Sequence, residues 1–117
     1  AAAPLVLLAY TPEKEQENII KSLDMVAYTP NTITDRKVLR QRLEQIRREG
    51  YAIDNEEFEI GAYSVSAPIV YQHLGIIDAI SVDIPSIRFN FFKRYDTISR
   101  IEISKSILVP QQTVSFI

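Results

Sequence analysis

Four short polar side chains, Ser64, Ser66, Ser81 and Asp83, are the groups in this chain best suited to holding a small molecule. The first two lie in an apolar run from Ile60 to Tyr71, the last two in a second run from Ile76 to Ile84, and Gln72-His73-Leu74-Gly75 between them reads as a hairpin turn. A four-residue turn makes antiparallel partners sum to about 147, which sets Ser64 opposite Asp83 and Ser66 opposite Ser81. Alternation then gathers these four on one face and leaves Tyr63, Val65, Ala67, Ile69, Ile80, Val82 and Ile84 on the other. Short side chains leave room for a ligand while hydroxyls and a carboxylate orient it, which is the chemistry of recognition rather than bond-making. The same alternation describes a solvated strand face, the commoner arrangement in antiparallel sheets, and the residues alone favour that plainer reading. Asp54, in the acidic stretch Asp54-Asn55-Glu56-Glu57 ahead of the long run, has a plainer reading too, as a solvated turn aspartate.

Catalytic chemistry has little to work with. The chain has no cysteine, which excludes disulfides, thiolate metal sites and cysteine nucleophiles. Its one histidine, His73, falls in the hairpin turn, so neither a histidine-pair metal site nor a Ser-His dyad has support. Glu56, Glu57 and Glu59 lack a nearby nucleophile or metal partner and read as solvated. No cofactor and no enzymatic activity are expected. Arg36, Lys37, Arg40, Arg42, Arg47 and Arg48 look basic enough for nucleic acid, but Asp35, Glu44 and Glu49 interleave with them, and Arg40 with Glu44 and Glu44 with Arg48 suit i,i+4 pairs on a solvated helix face.

The elements that must position these groups read in order as follows. Residues 4 to 10 suit a short helix with Pro4 in its first turn. Thr11-Pro12-Glu13 signals a second helix near 12 to 23, with Thr11 as cap and Ile19, Ile20 and Leu23 buried. The clearest helix runs from about 35 to 49, capped by Thr34 or Asp35, with Leu39, Leu43 and Ile46 on one face and Gly50 as a left-handed stop. Strands follow at Tyr51-Ala52-Ile53 and in the two runs of the hairpin. Phe92, Tyr95, Ile98, Ile101 and Leu108 space a terminal helix over 90 to 109, and the tail from Thr113 is either a frayed end or a short strand. The expectation is one α+β domain over residues 1–117, an antiparallel sheet with helices packed on it.

Composition narrows the class further. A hydrophobic fraction of 46% with 24% charged residues is too apolar for a disordered chain. A net charge of −2 denies this piece the basic excess that binding DNA by itself would require. The opening Ala1-to-Tyr10 run lacks a basic lead and falls far short of the ~20 residues of a membrane span, so no membrane association and a cytoplasmic address are expected. A start on three alanines without methionine implies a fragment with chain missing upstream.

One stretch adds a resemblance: Tyr28-Thr29-Pro30-Asn31-Thr32-Ile33-Thr34, then Leu39, Leu43, Ile46-Arg47, Gly50-Tyr51-Ala52, Asp54, Glu57, Gly61 and Ala67-Pro68. This resembles the C-terminal effector-binding domain of the IclR-type transcription regulators. The likeness covers most of residues 5 to 109, is densest from 28 to 68, and takes in Ile80-Ser81-Val82 and Ile103-Ser104. It implies a GAF-like sensing fold that binds a small metabolite, an organic acid or sugar-derived compound. It also implies assembly as a homodimer or tetramer, and DNA binding only through an N-terminal winged helix-turn-helix domain absent from this chain.

The resemblance further implies a pocket at Ala2 and Ala3, Asp54, Ser64, and Ser81 with Asp83. Three of these lie on the face drawn from alternation, which reverses the order of the two readings above. The chain departs from the family at three places. Pro4-Leu5 replaces the usual Gly-Lys, Ser64 a common cysteine, and Asp83 a frequent serine, whose added charge disfavours a bare carboxylate. The alternative is an oligomerisation module of the same fold with no ligand.

Overall fold

In the computed structural model, which describes residues 1–71, 73–74, 76–89 and 115–116, the helices α1 (Ala3–Ala9), α2 (Glu13–Ser22) and α3 (Arg36–Glu49) precede the sheet. The strands β1 (Ala52–Asn55), β2 (Ala62–Tyr71) and β3 (Ile76–Pro85) follow, then a single turn α4 (Ser86–Phe89) and the short strand β4 (Ser115–Phe116). The class is α+β, as expected. The helix expected over 90 to 109 lies outside the described residues.

Local chemistry accounts for α3. The Asp35 carboxylate accepts a 2.7 Å hydrogen bond from the Lys37 N–H, meeting one donor that a helix start leaves unpaired. Gly50 takes φ 80, the left-handed conformation that closes helices, and its N–H reaches the Ile46 carbonyl at 2.8 Å. Leu39, Leu43 and Ile46 are buried between these ends, and sequestering each contributes roughly 1.5–3 kcal/mol. On the opposite face Arg40 does not pair with Glu44 as spacing suggested. Its guanidinium grips both Glu17 carboxylate oxygens on α2, at 2.6 and 2.9 Å. A fork on a neighbouring helix offers two parallel bonds where an i+4 partner offers one.

At the start of α2, Thr11 does not cap. Its hydroxyl turns back to donate to the Leu7 carbonyl at 2.8 Å, a helix-end acceptor of α1, and Pro12 holds the cap position. Leu23 is partly exposed because the chain becomes extended there, so Ile20 alone of the expected stripe is fully buried. The Leu23 and Ile20 carbonyls are taken by Arg36, at 2.7 and 3.1 Å.

The sheet is ordered β1-β2-β3, all antiparallel. Ser64 pairs with Asp83 and Ser66 with Ser81, the register a four-residue turn requires, and Leu74 N–H closes that turn on the Tyr71 carbonyl at 3.0 Å. The chain's tail forms a strand: β4 pairs with Ile69 and Val70 on the edge of β2 that β1 leaves free. One face carries Tyr63, Val65 and Ala67 against Tyr51, Ile53, Ile80, Val82 and Ile84. The other carries the serines, and α1 lies across it, packing with α3 in a core of Val6, Ala9, Ile20, Leu43, Ile46 and Ala52. The small side chains Ala52, Ser64, Ser66 and Ala79 are what let a helix approach that face closely.

Candidate ligand-binding site

On β2 the serine face is not a wet strand surface, while Asp83 on β3 stays exposed. Ser64 and Ser66 are 2% and 0% exposed beneath α1, and each meets the rule that a buried hydroxyl needs a partner. Ser66 donates to the Ile80 carbonyl at 2.9 Å. Ser64 Oγ accepts from the Ala2 N–H at 2.7 Å, which fastens the start of α1 to the middle of the sheet.

Asp54 lies on the same row. It belongs to β1 rather than to the turn, pairs with Ser64 in register, and is 4% exposed. A buried carboxylate needs donors on both oxygens: Oδ1 takes the Glu57 N–H at 2.9 Å, and Oδ2 lies 2.8 Å from the amino nitrogen of Ala1. Asp54, Ser64 and Asp83 thus form one line across three strands, ending on the exposed Asp83, which has Ser81 Oγ 3.5 Å from its Oδ1.

The turn after Asp54 is held from a distance. Thr29 and Thr32 hydroxyls donate to the Glu56 and Glu57 carbonyls, and Asn31 Nδ2 donates to Asn55 O at 2.9 Å. Thr32 Oγ1 itself accepts the Tyr28 and Thr29 N–H groups at 3.1 and 2.9 Å. These bonds stabilise Glu56 at φ 55, a left-handed conformation unusual for a residue with a side chain. They also bring Phe58 against Tyr28, ring centroids 4.9 Å apart, although both remain about 60% exposed, at 59% and 60%. Glu57 is not solvated as its position suggested. It forms a 3.2 Å ion pair with Arg42, and burial holds its carboxyl above the usual glutamate range, with Arg42 opposing and neighbouring Asp54 adding to that rise.

Two clefts meet at this row, sharing Ala1, Asp54 and Phe58. One, of about 500 Å³, is lined by the polar Asp54, Ser64, Asp83 and Glu59 and by the apolar Phe58, Ile84 and Pro85, among others. The other, of about 510 Å³, is mostly apolar, lined by Leu5, Met25, Val26, Ile33 and Tyr28 among others. Of the positions singled out in the sequence, Asp54, Ser64 and Asp83 line the first cleft, and Ala2 stands directly behind it through its bond to Ser64. Ala3 begins α1 and Ser81 stands beside Asp83, neither lining the cleft itself. Phe58, Glu59 and Tyr28 carried no signal in sequence spacing, because a turn pinned by two threonines places them. A third cleft, of about 350 Å³, opens between α3 and Tyr51, Ile53 and Tyr63. Arg42 and Glu57 in it satisfy each other. Among the described residues no group of His, Asp and Glu could hold a metal ion, and no helix is long and apolar enough to cross a membrane.

In sequence and in fold the chain is similar to the C-terminal domain of bacterial IclR transcriptional regulators. The profile of that family matches residues 1–104, and the chain belongs to it. It is 33% identical over 85 residues, 73% of its length, to the HTH-type transcriptional regulator KdgR of Escherichia coli, of which those residues cover 32%. The chain spans about a third of the length of the curated relatives it matches, at 32% and 31%. The crystal structure of the Thermotoga maritima IclR superimposes with a TM-score of 0.77 at 36% identity, over 88% of this chain and 40% of that one. An IclR homologue of Microbacterium hydrocarbonoxydans, solved with 4-hydroxybenzoate, superimposes with a TM-score of 0.64 at 28% identity, over 73% of this chain and 35% of that one. The family and these relatives are transcriptional regulators, not enzymes.

Proposed function

We propose that the chain is the effector-binding part of a DNA-binding transcription regulator, and that its ligand occupies the cleft along Asp54, Ser64 and Asp83. Ala2 and Ala3 fix the start of α1 as the back of that cleft, and Ser81 orients Asp83. The observation that carries the reading is the Asp54-Ser64-Asp83 row at the junction of the two clefts. A buried polar row beside an apolar recess is how small-molecule sites combine orientation with affinity. The homologue solved with 4-hydroxybenzoate supports the assignment of a small metabolite to this fold. The chain acts as a single effector domain. Ligand shifts its conformation or assembly, as a homodimer or tetramer in the cytoplasm, and so alters operator affinity through a helix-turn-helix domain on the whole protein.

A ligand at about 100 times its dissociation constant adds roughly 2.7 kcal/mol of stability. A metabolite panel of organic acids, sugars, sugar acids and polyols therefore raises the melting temperature by several degrees for at least one member. No shift by any member sinks the sensing reading. Exposed Tyr28 and Phe58 favour one alternative, an oligomerisation module without ligand. It predicts concentration-dependent sedimentation and a melting temperature indifferent to the whole panel.

A further inference from the structure

Ser64 and Asp83 are direct register partners on β2 and β3, and both line the polar cleft. Directly opposed residues place their Cβ atoms roughly 4.5–5.5 Å apart, a gap that one oxygen atom can bridge. The two side chains offer complementary unused capacity. Ser64 is buried, and its Oγ accepts the Ala2 N–H; among the described residues it has no further partner, which leaves its O–H to donate. Among the described residues Asp83 has one long contact, with Ser81 Oγ at 3.5 Å, which leaves a carboxylate to accept. Among the described residues, the lining includes the carboxylates Asp54, Glu59 and Asp83 and no lysine, arginine or histidine side chain; Ala1 also lines it, its amino nitrogen facing Asp54 Oδ2. Asp54 differs from Asp83 in that donors already meet both of its oxygens.

A group fitting between Ser64 and Asp83 must accept one hydrogen bond and donate another at the same atom. A carboxylate accepts only and meets Asp83 as a like charge. An ammonium donates only and leaves the Ser64 proton unmet. An alcohol does both. We propose that the cleft selects a ligand alcohol, with one hydroxyl seated between Ser64 Oγ and the Asp83 carboxylate, and that Asp83 excludes a bare carboxylate from that position. This rests on the sensing role of the cleft and names the ligand class it selects: a polyol or other hydroxyl-rich molecule whose acid group, if it has one, points away from Asp83.

The test uses matched probes that differ at one terminus: sorbitol, gluconate and glucamine, and benzyl alcohol, benzoate and benzylamine. Affinities are read by calorimetry on the chain and on its Asp83→Asn, Asp83→Ser and Asp78→Asn variants. Asp83 is exposed, so these substitutions leave the core intact, and Asp78 lies on the opposite sheet face as a control for net charge. In any set that binds, the alcohol is expected to bind at least about tenfold more tightly than the acid, a gap of ~1.4 kcal/mol. Asp83→Asn and Asp83→Ser should shrink that ratio severalfold, and Asp78→Asn should leave it alone. Tighter binding of the acid, a ratio unmoved by either Asp83 variant, or the amine as the tightest probe each overturns the alcohol bridge while leaving the sensing role standing. No binding by any probe, together with no response to the wider panel, overturns both.

Discussion

The Ala2 N–H donates to Ser64 Oγ at 2.7 Å, joining the start of α1 to the centre of β2 between residues 62 apart in the chain. The bond explains how a seven-residue helix, too short to persist alone in water, is held in place over the sheet. It also joins the frame of the cleft to the side chain that lines it.

Ser64→Ala leaves the Ala2 N–H buried with no acceptor. The cost of such an orphan is about 1–3 kcal/mol. Urea denaturation should show the midpoint falling by that equivalent with an unchanged slope, whereas Ser81→Ala, at a half-buried site with one long contact, should move it little.

The cap of α3 makes a smaller and separable contribution. Asp35→Ala removes the carboxylate that accepts the Lys37 N–H and is expected to cost roughly 0.5–2 kcal/mol, with Asp35→Asn or Asp35→Ser recovering most of it. Thermal melts of the three variants check the order.

Leu43→Ala empties a fully buried position at the contact of α1 with α3. Loss of about 2–5 kcal/mol is expected from transfer and cavity together, the largest of these single changes.

Stability should depend on pH through Glu57. Its folded carboxyl titrates above the ordinary glutamate value, mainly because it is buried, so the native state holds a proton that the unfolded chain has released. With more protons bound in the native state, stability falls as pH rises, in the window that opens at the ordinary glutamate pKa and closes at the raised folded one. Glu17 acts in the opposite sense. The Arg40 hydrogen bond holds its carboxyl low, so its contribution is present above the ordinary glutamate pKa and fades as pH drops through the lowered folded value. Urea midpoints across the acidic range should lose their decline in Glu57→Gln. They should decline more steeply in Arg42→Gln, which takes away the main cation opposing the rise.

The parts of the fold visible in the sequence were those set by local rules. A four-residue turn fixed the pairing of Ser64 with Asp83, and Asp35, Gly50 and an unbroken apolar stripe marked α3 to within a residue. The cleft was only half visible, for a physical reason. Alternation shows that Ser64 and Ser66 share a face but does not distinguish water from a helix above it, since serine suits either. Phe58 and the burial of Glu57 depend on Thr29 and Thr32 reaching carbonyls 27 and 25 residues away. No periodicity encodes such bonds; they registered only as part of the Tyr28-to-Pro68 resemblance.

Binding of ligand along the Asp54-Ser64-Asp83 row is tested most directly by following the backbone amide resonances of the chain during titration with the compound that raises its melting temperature most. Saturable shifts are expected at Ala2, Phe58, Ser64 and Asp83, with Arg42, Gln45, Glu49 and Tyr51 around the third cleft unmoved. Shifts centred on that second group, with the row unaffected, would contradict binding at the row.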